Sequence, residues 1–212
     1  NNNVAIGALS GDAITDSGNC VLVGKNAGGA ISSTDADGST LIGHSAGTSI
    51  TSGAGNTAVG YQALTTNVDG SYNTAVGYEA LYTNEAGAGD EGENVAIGYR
   101  AGKFVSTGQM NVFIGNEAGL GNDSTPIIGH YNVVIGRDAG LLLEGQCDSN
   151  TLIGRQAGDV ITSGDQNTCI GDLADTDDAT ATNQTVIGAS TTGVADNSVT
   201  LGNASVTAVY MA

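Results

Sequence analysis

A glycine preceded by Ile, Val or Leu recurs along the whole chain, at Gly7, Gly24, Gly43, Gly60, Gly77, Gly98, Gly115, Gly136, Gly154, Gly171, Gly188 and Gly202. The successive spacings are 17, 19, 17, 17, 21, 17, 21, 18, 17, 17 and 14. Self-similarity at such a period means stacked units, each burying its apolar face against its neighbours. The excess over 17 falls in polar segments such as TNEAGAGDEGE, where loop length costs little.

Each position of the unit has its own chemistry. With the repeat glycine as position 0, position −1 is always Ile, Val or Leu, and position −3 is always Val or Thr (Val21, Thr40, Thr57, Thr74, Val95, Val112). Two β-branched residues spaced by two define one face of a short strand. Gly and β-branched residues at this density oppose a helix. Position −2, on the opposite face, is apolar in every unit but the last, which has Thr200. A strand apolar on both faces is buried on both. One thin coil covers only one face, so position −2 is expected to meet another copy of the chain. Leu22, Leu41, Phe113, Val134, Leu152 and Val186 are the candidate interface residues.

Asn holds position −4 in eight units, among them Asn56, Asn73, Asn94 and Asn111, and is expected to form a corner ladder of stacked amides. Position +3 is Ala in nine units, small enough for close approach of neighbouring backbone. Where Gly stands at +4, an aliphatic residue often follows at +7 (Ile50, Leu143, Ile161). Where Leu64 or Leu81 stands at +4, position +7 becomes Asn67 or Asn84. One apolar group from either of two places implies a fixed small cavity in each coil.

The fold class expected is all-β: a parallel β-solenoid or β-roll of about twelve coils of ~17 residues, rising ~4.8 Å per coil. Residues 1–182 form the tandem repeats, and 183–212 the terminal repeats with a C-terminal transition segment. Composition agrees, because 34 glycines, two Phe and no Trp cannot fill a thick globular core.

The net charge of −17 and only five basic residues, spread along the sequence, argue against nucleic acid or anionic lipid as partners. No apolar run approaches the ~20 residues of a membrane helix, so membrane insertion is not expected. The start, NNNVAIG, lies inside the repeat and carries no signal peptide, as in a fragment or a chain cut from something longer.

Units such as NTAVGYQAL, NTAVGYEAL, NVAIGYRAG and NVFIGNEAG resemble the head repeats of trimeric autotransporter adhesins. They are closer still to the NTAVGYxAL repeats of phage tail fibres, which often precede an endosialidase-type intramolecular chaperone. The stretch from Asn183 resembles the segment leading into that chaperone. The resemblance covers nearly the whole chain, although the unit here is longer than the adhesin one. It implies a β-roll homotrimer in an extracellular setting, either a virion tail fibre or a cell surface. The functions it implies are a tail-fibre shaft or receptor-presenting region, or else a bacterial adhesin or surface filament. Axial neighbours in the fibre and a host-surface glycan are the further partners it suggests.

No enzymatic constellation is present, and the chain is not expected to be an enzyme or to carry a cofactor. His44 and His130 each follow a glycine, at turns and without a motif. The acidic loops around Asp35 and Asp37, and around Asp175 and Asp177, are oxygen-rich and are the candidates for calcium. Tyr61, Tyr78 and Tyr99 follow the repeat glycine in three successive units, so a solenoid stacks them in one column. That column is either a self-stacking ladder or a platform for sugar rings. Cys169 stands at an apolar strand position and is expected to be buried. Cys20 and Cys147 fall in turn-like contexts, either free or bridged between chains. Ice binding by a Thr column is disfavoured if position −3 faces the interior.

Overall fold

The computed structural model describes residues 2–33, 36–84 and 92–210. Twelve three-residue strands form one parallel sheet in sequence order. They are β1 (Val4–Ile6), β2 (Val21–Val23), β3 (Thr40–Ile42), β4 (Thr57–Val59), β5 (Thr74–Val76) and β6 (Val95–Ile97). Then come β7 (Val112–Ile114), β8 (Val133–Ile135), β9 (Thr151–Ile153), β10 (Thr168–Ile170), β11 (Thr185–Ile187) and β12 (Val199–Leu201). The chain is thus a right-through stack of about eleven turns, each strand pairing only with the strand one turn before and after it. No helix occurs among the described residues, so none is present there to cross a membrane.

Register is uniform: position −3 pairs with −3, −2 with −2 and −1 with −1, as in Val95↔Val112, Ala96↔Phe113 and Ile97↔Ile114. β11 and β12 continue this register past residue 183, and the sheet has no break there.

The coil closes at corners held by left-handed residues. They recur at −5 (Tyr72, φ 58°; Met110, φ 56°), at +2 (Gln62, φ 53°; Glu79, φ 53°) and at +4 (Gly47, φ 55°; Leu64, φ 55°). The repeat glycine itself is dictated by geometry. Gly77 has φ 144°, and a Cβ there would overlap the carbonyl of Gly98 one coil on. Only glycine fits that conformation and that approach.

The side chains facing the interior correct one expectation. Leu22, Leu41, Phe113, Val134, Leu152 and Val186 are fully buried inside their own chain, with 0% exposure, and cannot be surface interface residues. They form the core with the Ala column at +3 and the aliphatic residues at +7. It is the other face of the strand, positions −3 and −1, that looks outward. Ile97 is 41% and Ile187 40% exposed. The chain bends toward −2 at every corner, so the coil wraps that column and leaves its β-branched flanks outside. The strand is apolar on both faces, as read; the faces are exchanged.

The volume compensation is visible directly. A Cβ on Gly47 would lie 2.8 Å from Ile50 Cδ1 and 2.8 Å from Leu41 Cδ1, so that space is already filled. In the next two coils Leu64 and Leu81 fill it from +4, and the buried Asn67 and Asn84 replace the aliphatic residue at +7. Strand residues follow suit: Leu41 accompanies Gly47, whereas Ala58 accompanies Leu64 and Ala75 accompanies Leu81. Phe113 is large enough to reach the space of two coils. A Cβ on Gly102 would come 2.8 Å from its Cδ2.

The amide ladder at −4 runs as a buried line through the stack. Asn111 Oδ1 accepts the backbone N–H of Asn132 at 2.9 Å and its Nδ2 at 2.9 Å. Asn111 Nδ2 donates to Asn94 Oδ1 at 3.1 Å and to the Gly129 carbonyl at 2.9 Å. The same pattern links Asn56, Asn73, Asn94, Asn111, Asn132, Asn150 and Asn167, and Gln184 N–H closes it at 3.0 Å. Corner backbone groups that a buried turn would otherwise leave unpaired are satisfied in this way.

Cysteine placement settles a second point. Cys20, Cys147 and Cys169 are all free and buried. Cys20 occupies the ladder position −4, and Cys147 a column of small residues at −7. Burial pushes the thiols of Cys147 and Cys169 up to about 12. Interchain bridging through Cys20 or Cys147 is therefore ruled out for the folded coil.

Candidate interaction surface

No pocket forms among the described residues. The chemistry of the stack is displayed in columns, because uniform register places equivalent positions one above another. The outward sheet face is the first such surface: Val and Thr at −3, Ile, Val and Leu at −1, with no charged residue in either column. Six of its residues are threonines, Thr40, Thr57, Thr74, Thr151, Thr168 and Thr185. Their outward position removes the argument against ice binding that rested on a buried face.

Position +1 forms the edge that follows the strand. Its carbonyls are linked coil to coil, since Tyr61 O accepts from Glu79 N–H at 2.9 Å and Tyr78 O from Arg100 N–H at 2.8 Å. Tyr61, Tyr78 and Tyr99 stack there as expected, with ring centroids 5.0 and 5.5 Å apart, and His44 extends the column, 5.4 Å from Tyr61. The Arg100 guanidinium lies over the Tyr99 ring, 4.9 Å from its centroid. Tyr61 and Tyr78 are each covered on both faces by neighbouring rings, so the column is a self-stacking ladder there and offers sugar rings little free face.

The same edge collects charge that is dispersed in sequence. Lys25, Arg137 and Arg155 stand at +1, Arg100 at +2 and Lys103 at +5. All five basic residues of the chain thus lie on or beside one edge, at intervals of up to 75 residues along the sequence. Glu79 anchors two of them, 3.0 Å from Arg100 Nε and 2.7 Å from Lys103 Nζ. Burial works against its charge, but the two cations prevail and hold its carboxyl below the usual range. Arg155 pairs with Asp172 at 2.7 Å and Arg137 with Asp138 at 3.1 Å, both as exposed bridges worth little.

The opposite edge, at −6 and −5, precedes the strand and carries a second ladder that the sequence did not suggest. Asp148 Oδ1 accepts the N–H of His130 at 2.7 Å, and Asp165 Oδ1 accepts that of Asp148 at 2.7 Å. His130 Nδ1 takes the N–H of Gln109 at 3.1 Å, so the imidazole belongs to the ladder. The usable signal was the recurrence of Asp, Ser or His at a fixed offset of two before the Asn column.

The candidate calcium residues are engaged within the chain. Asp35 lies outside the described residues. Asp37 Oδ1 accepts the Ser17 hydroxyl at 3.2 Å and the Gly18 N–H at 2.5 Å. Asp177 accepts from Gln184 Nε2. Asp175 is drawn into a carboxyl pair with Asp159 on the preceding coil. Burial first, then the hydrogen bond and charge of Asp159, push Asp175 up to about 8. Among the described residues no group of three or more His, Cys, Asp or Glu is placed to hold a metal.

The Asp159–Asp175 pair has a definite consequence for stability. The folded chain retains a proton at Asp175 that the unfolded chain, with an ordinary value of 3.8, has lost. The site therefore contributes most below pH ~4, progressively less up to pH ~8, and nothing further above it. Asp175→Asn mimics the protonated acid. It is expected to match the wild type near pH 4 and to exceed it by about 1–2 kcal/mol at pH 9, solvent screening at a half-buried site included. Thermal melts from pH 4 to 9 measure this, and parallel curves for the two proteins would contradict the pairing.

No family model matches the chain, and a search of curated proteins returns no match.

Proposed function

We propose that this chain is a structural and adhesive segment of an extracellular fibre, a tail-fibre shaft or receptor-presenting region that assembles as a homotrimer. The observation that carries the reading is the outward strand face, an aliphatic column at −1 beside an uncharged Val/Thr column at −3, running through twelve strands. A continuous apolar strip of that length is rare on a protein that remains alone. Covering it with further copies of the same chain turns a thin coil into a stiff rod with a second, shared core. The repeat motifs that resemble tail-fibre and adhesin head units support the same assembly. A bacterial adhesin or surface filament uses the same rod, and the two settings differ in what is joined to it rather than in the coil. Light scattering of the purified chain is expected to give the mass of three copies; a monomer across the micromolar range would overturn the reading.

A second reading is favoured by the outward Thr column. Threonines on a flat, in-register sheet present repeated hydroxyl and methyl groups that can order water at an ice surface. Thermal hysteresis of freezing tests it, and its absence would remove ice binding.

A further inference from the structure

We infer that copies of this chain dock edge to edge in a closed ring, the basic edge of one against the acidic edge of the next at the same height along the rod. The inference rests on the self-assembly proposed above and adds which surfaces meet.

The two edges flank the outward sheet face, one immediately after each strand and the other within three residues before it. An antiparallel face-to-face contact, with its twofold axis across the rods, would join like edges. A ring joins unlike edges, so each copy uses both. The distribution of charge distinguishes these arrangements. Lys25, Arg137 and Arg155 lie on the edge after β2, β8 and β9. Asp37, Asp148 and Asp165 lie on the edge before β3, β9 and β10. Each basic residue thus has an acidic counterpart on the opposite edge, displaced in the same sense by part of a coil. The coil climbs ~4.8 Å per turn, so residues ten to twelve positions apart differ in height by about 3 Å. Side chains as long as Lys and Arg span that difference.

The middle of the rod repeats the logic with apolar groups. Tyr61, Tyr78 and Tyr99 occupy the first edge at the levels of β4, β5 and β6. Near those levels the second edge exposes Tyr72, at 54%, and Met110, at 43%. Charge therefore meets charge at both ends of the contact, and aromatic meets aromatic or thioether between them. Complementary potentials of this kind set register and exclude wrong pairings more than they add affinity. Arg137 and Arg155 each already pair, through one guanidinium nitrogen, with a carboxylate of their own edge, Asp138 and Asp172, so the contact adds a second carboxylate to each. Lys25 is exposed and makes no ion pair among the described residues. Asp148 and Asp165 each spend one carboxylate oxygen on the backbone ladder and keep the other.

The test compares three variants by concentration-dependent light scattering, with far-ultraviolet melts to show that each folds. Arg137→Gln with Arg155→Gln removes charge from one edge. Asp148→Asn with Asp165→Asn removes it from the other and keeps the amide oxygen that the ladder requires. Each pair of substitutions is expected to weaken association at least tenfold at low salt. All four together are expected to be no weaker than either pair, because the partners are lost jointly. Wild-type association should also weaken with salt, and that of the fourfold variant, which keeps only Lys25 opposite Asp37, should weaken less. A monomeric wild type overturns the assembly itself. An oligomeric wild type whose affinity is unchanged by either pair, or in which the two effects simply add, overturns the edge-to-edge contact and leaves the assembly standing.

Discussion

Asn111→Ala is expected to lower the unfolding midpoint by about 10 °C, although it removes a small polar side chain and no hydrophobic one. Asn111 sits in the middle of the ladder and makes four side-chain contacts to Asn94, Gly129 and Asn132. Its loss strands the buried N–H of Asn132 and the carbonyl of Gly129. Water cannot reach either group, since Asn94, Asn111 and Asn132 have no exposure. Two stranded groups at ~1–3 kcal/mol each give about 3–5 kcal/mol, which corresponds to roughly 10 °C in a chain of this size. The position matters as well as the chemistry. A solenoid is held by nearest-neighbour terms, so a defect in a central coil separates the stack into two shorter ones. Asn116→Ala, at an exposed +1 position, is the control and should stay within about 0.5 kcal/mol. Equal melting of the two variants would show that the ladder does not carry the corner.

Leu64→Gly is expected to destabilise by about 2–4 kcal/mol, and adding Asn67→Ile should recover most of the loss. Leu64 is fully buried and fills the space that Ile50 fills one coil earlier. Removing it leaves a cavity beside Ala58, which is too small to close the gap. Asn67→Ile alone overpacks the coil, because Leu64 still occupies the site. Together the two substitutions extend the Gly47–Ile50 arrangement by one coil. They also remove the Asn67 Oδ1, a buried oxygen with no hydrogen-bond partner. The Gly70 carbonyl keeps its bond from Asn56 Nδ2 at 2.8 Å, so the corner survives the exchange. A coupling of about 2 kcal/mol or more in a double-mutant cycle by urea melts is the expected result. Simple additivity would mean that the two side chains do not share one cavity.

Both predictions concern features that the sequence displays openly. Asn at −4 and the exchange of Leu64/Asn67 for Gly47/Ile50 are visible as columns once the repeat is aligned, because a fixed cavity and a fixed corner leave fixed volumes and donors. The stacking of Tyr61, Tyr78 and Tyr99 was legible for the same reason. Whether the rings stand free or cover one another was not, since both arrangements have one sequence pattern and differ only in how the coils set the rings. The acidic loops show the same limit: a D-x-D string records oxygen content, but whether Asp37 and Asp177 already accept from Ser17, Gly18 and Gln184 depends on how separate segments meet.

By itself the sequence determined the period, the strand in each unit, the parallel stack and the ladder, because each of these needs only local chemistry repeated at a constant interval. Tertiary structure alone decided which strand face is the core. Alternation at period 2 is unchanged when the two faces are exchanged, and Leu22 through Val186 went inside because the left-handed corners bend the chain toward them. One covariation did point the right way: Ala58 and Ala75 accompany Leu at +4, and a residue that trades volume with another must share its interior. The edges needed the fold as well. Lys25, Arg137 and Arg155 are far apart along the chain, and only the constant register of the coils brings them onto one line opposite Asp37, Asp148 and Asp165.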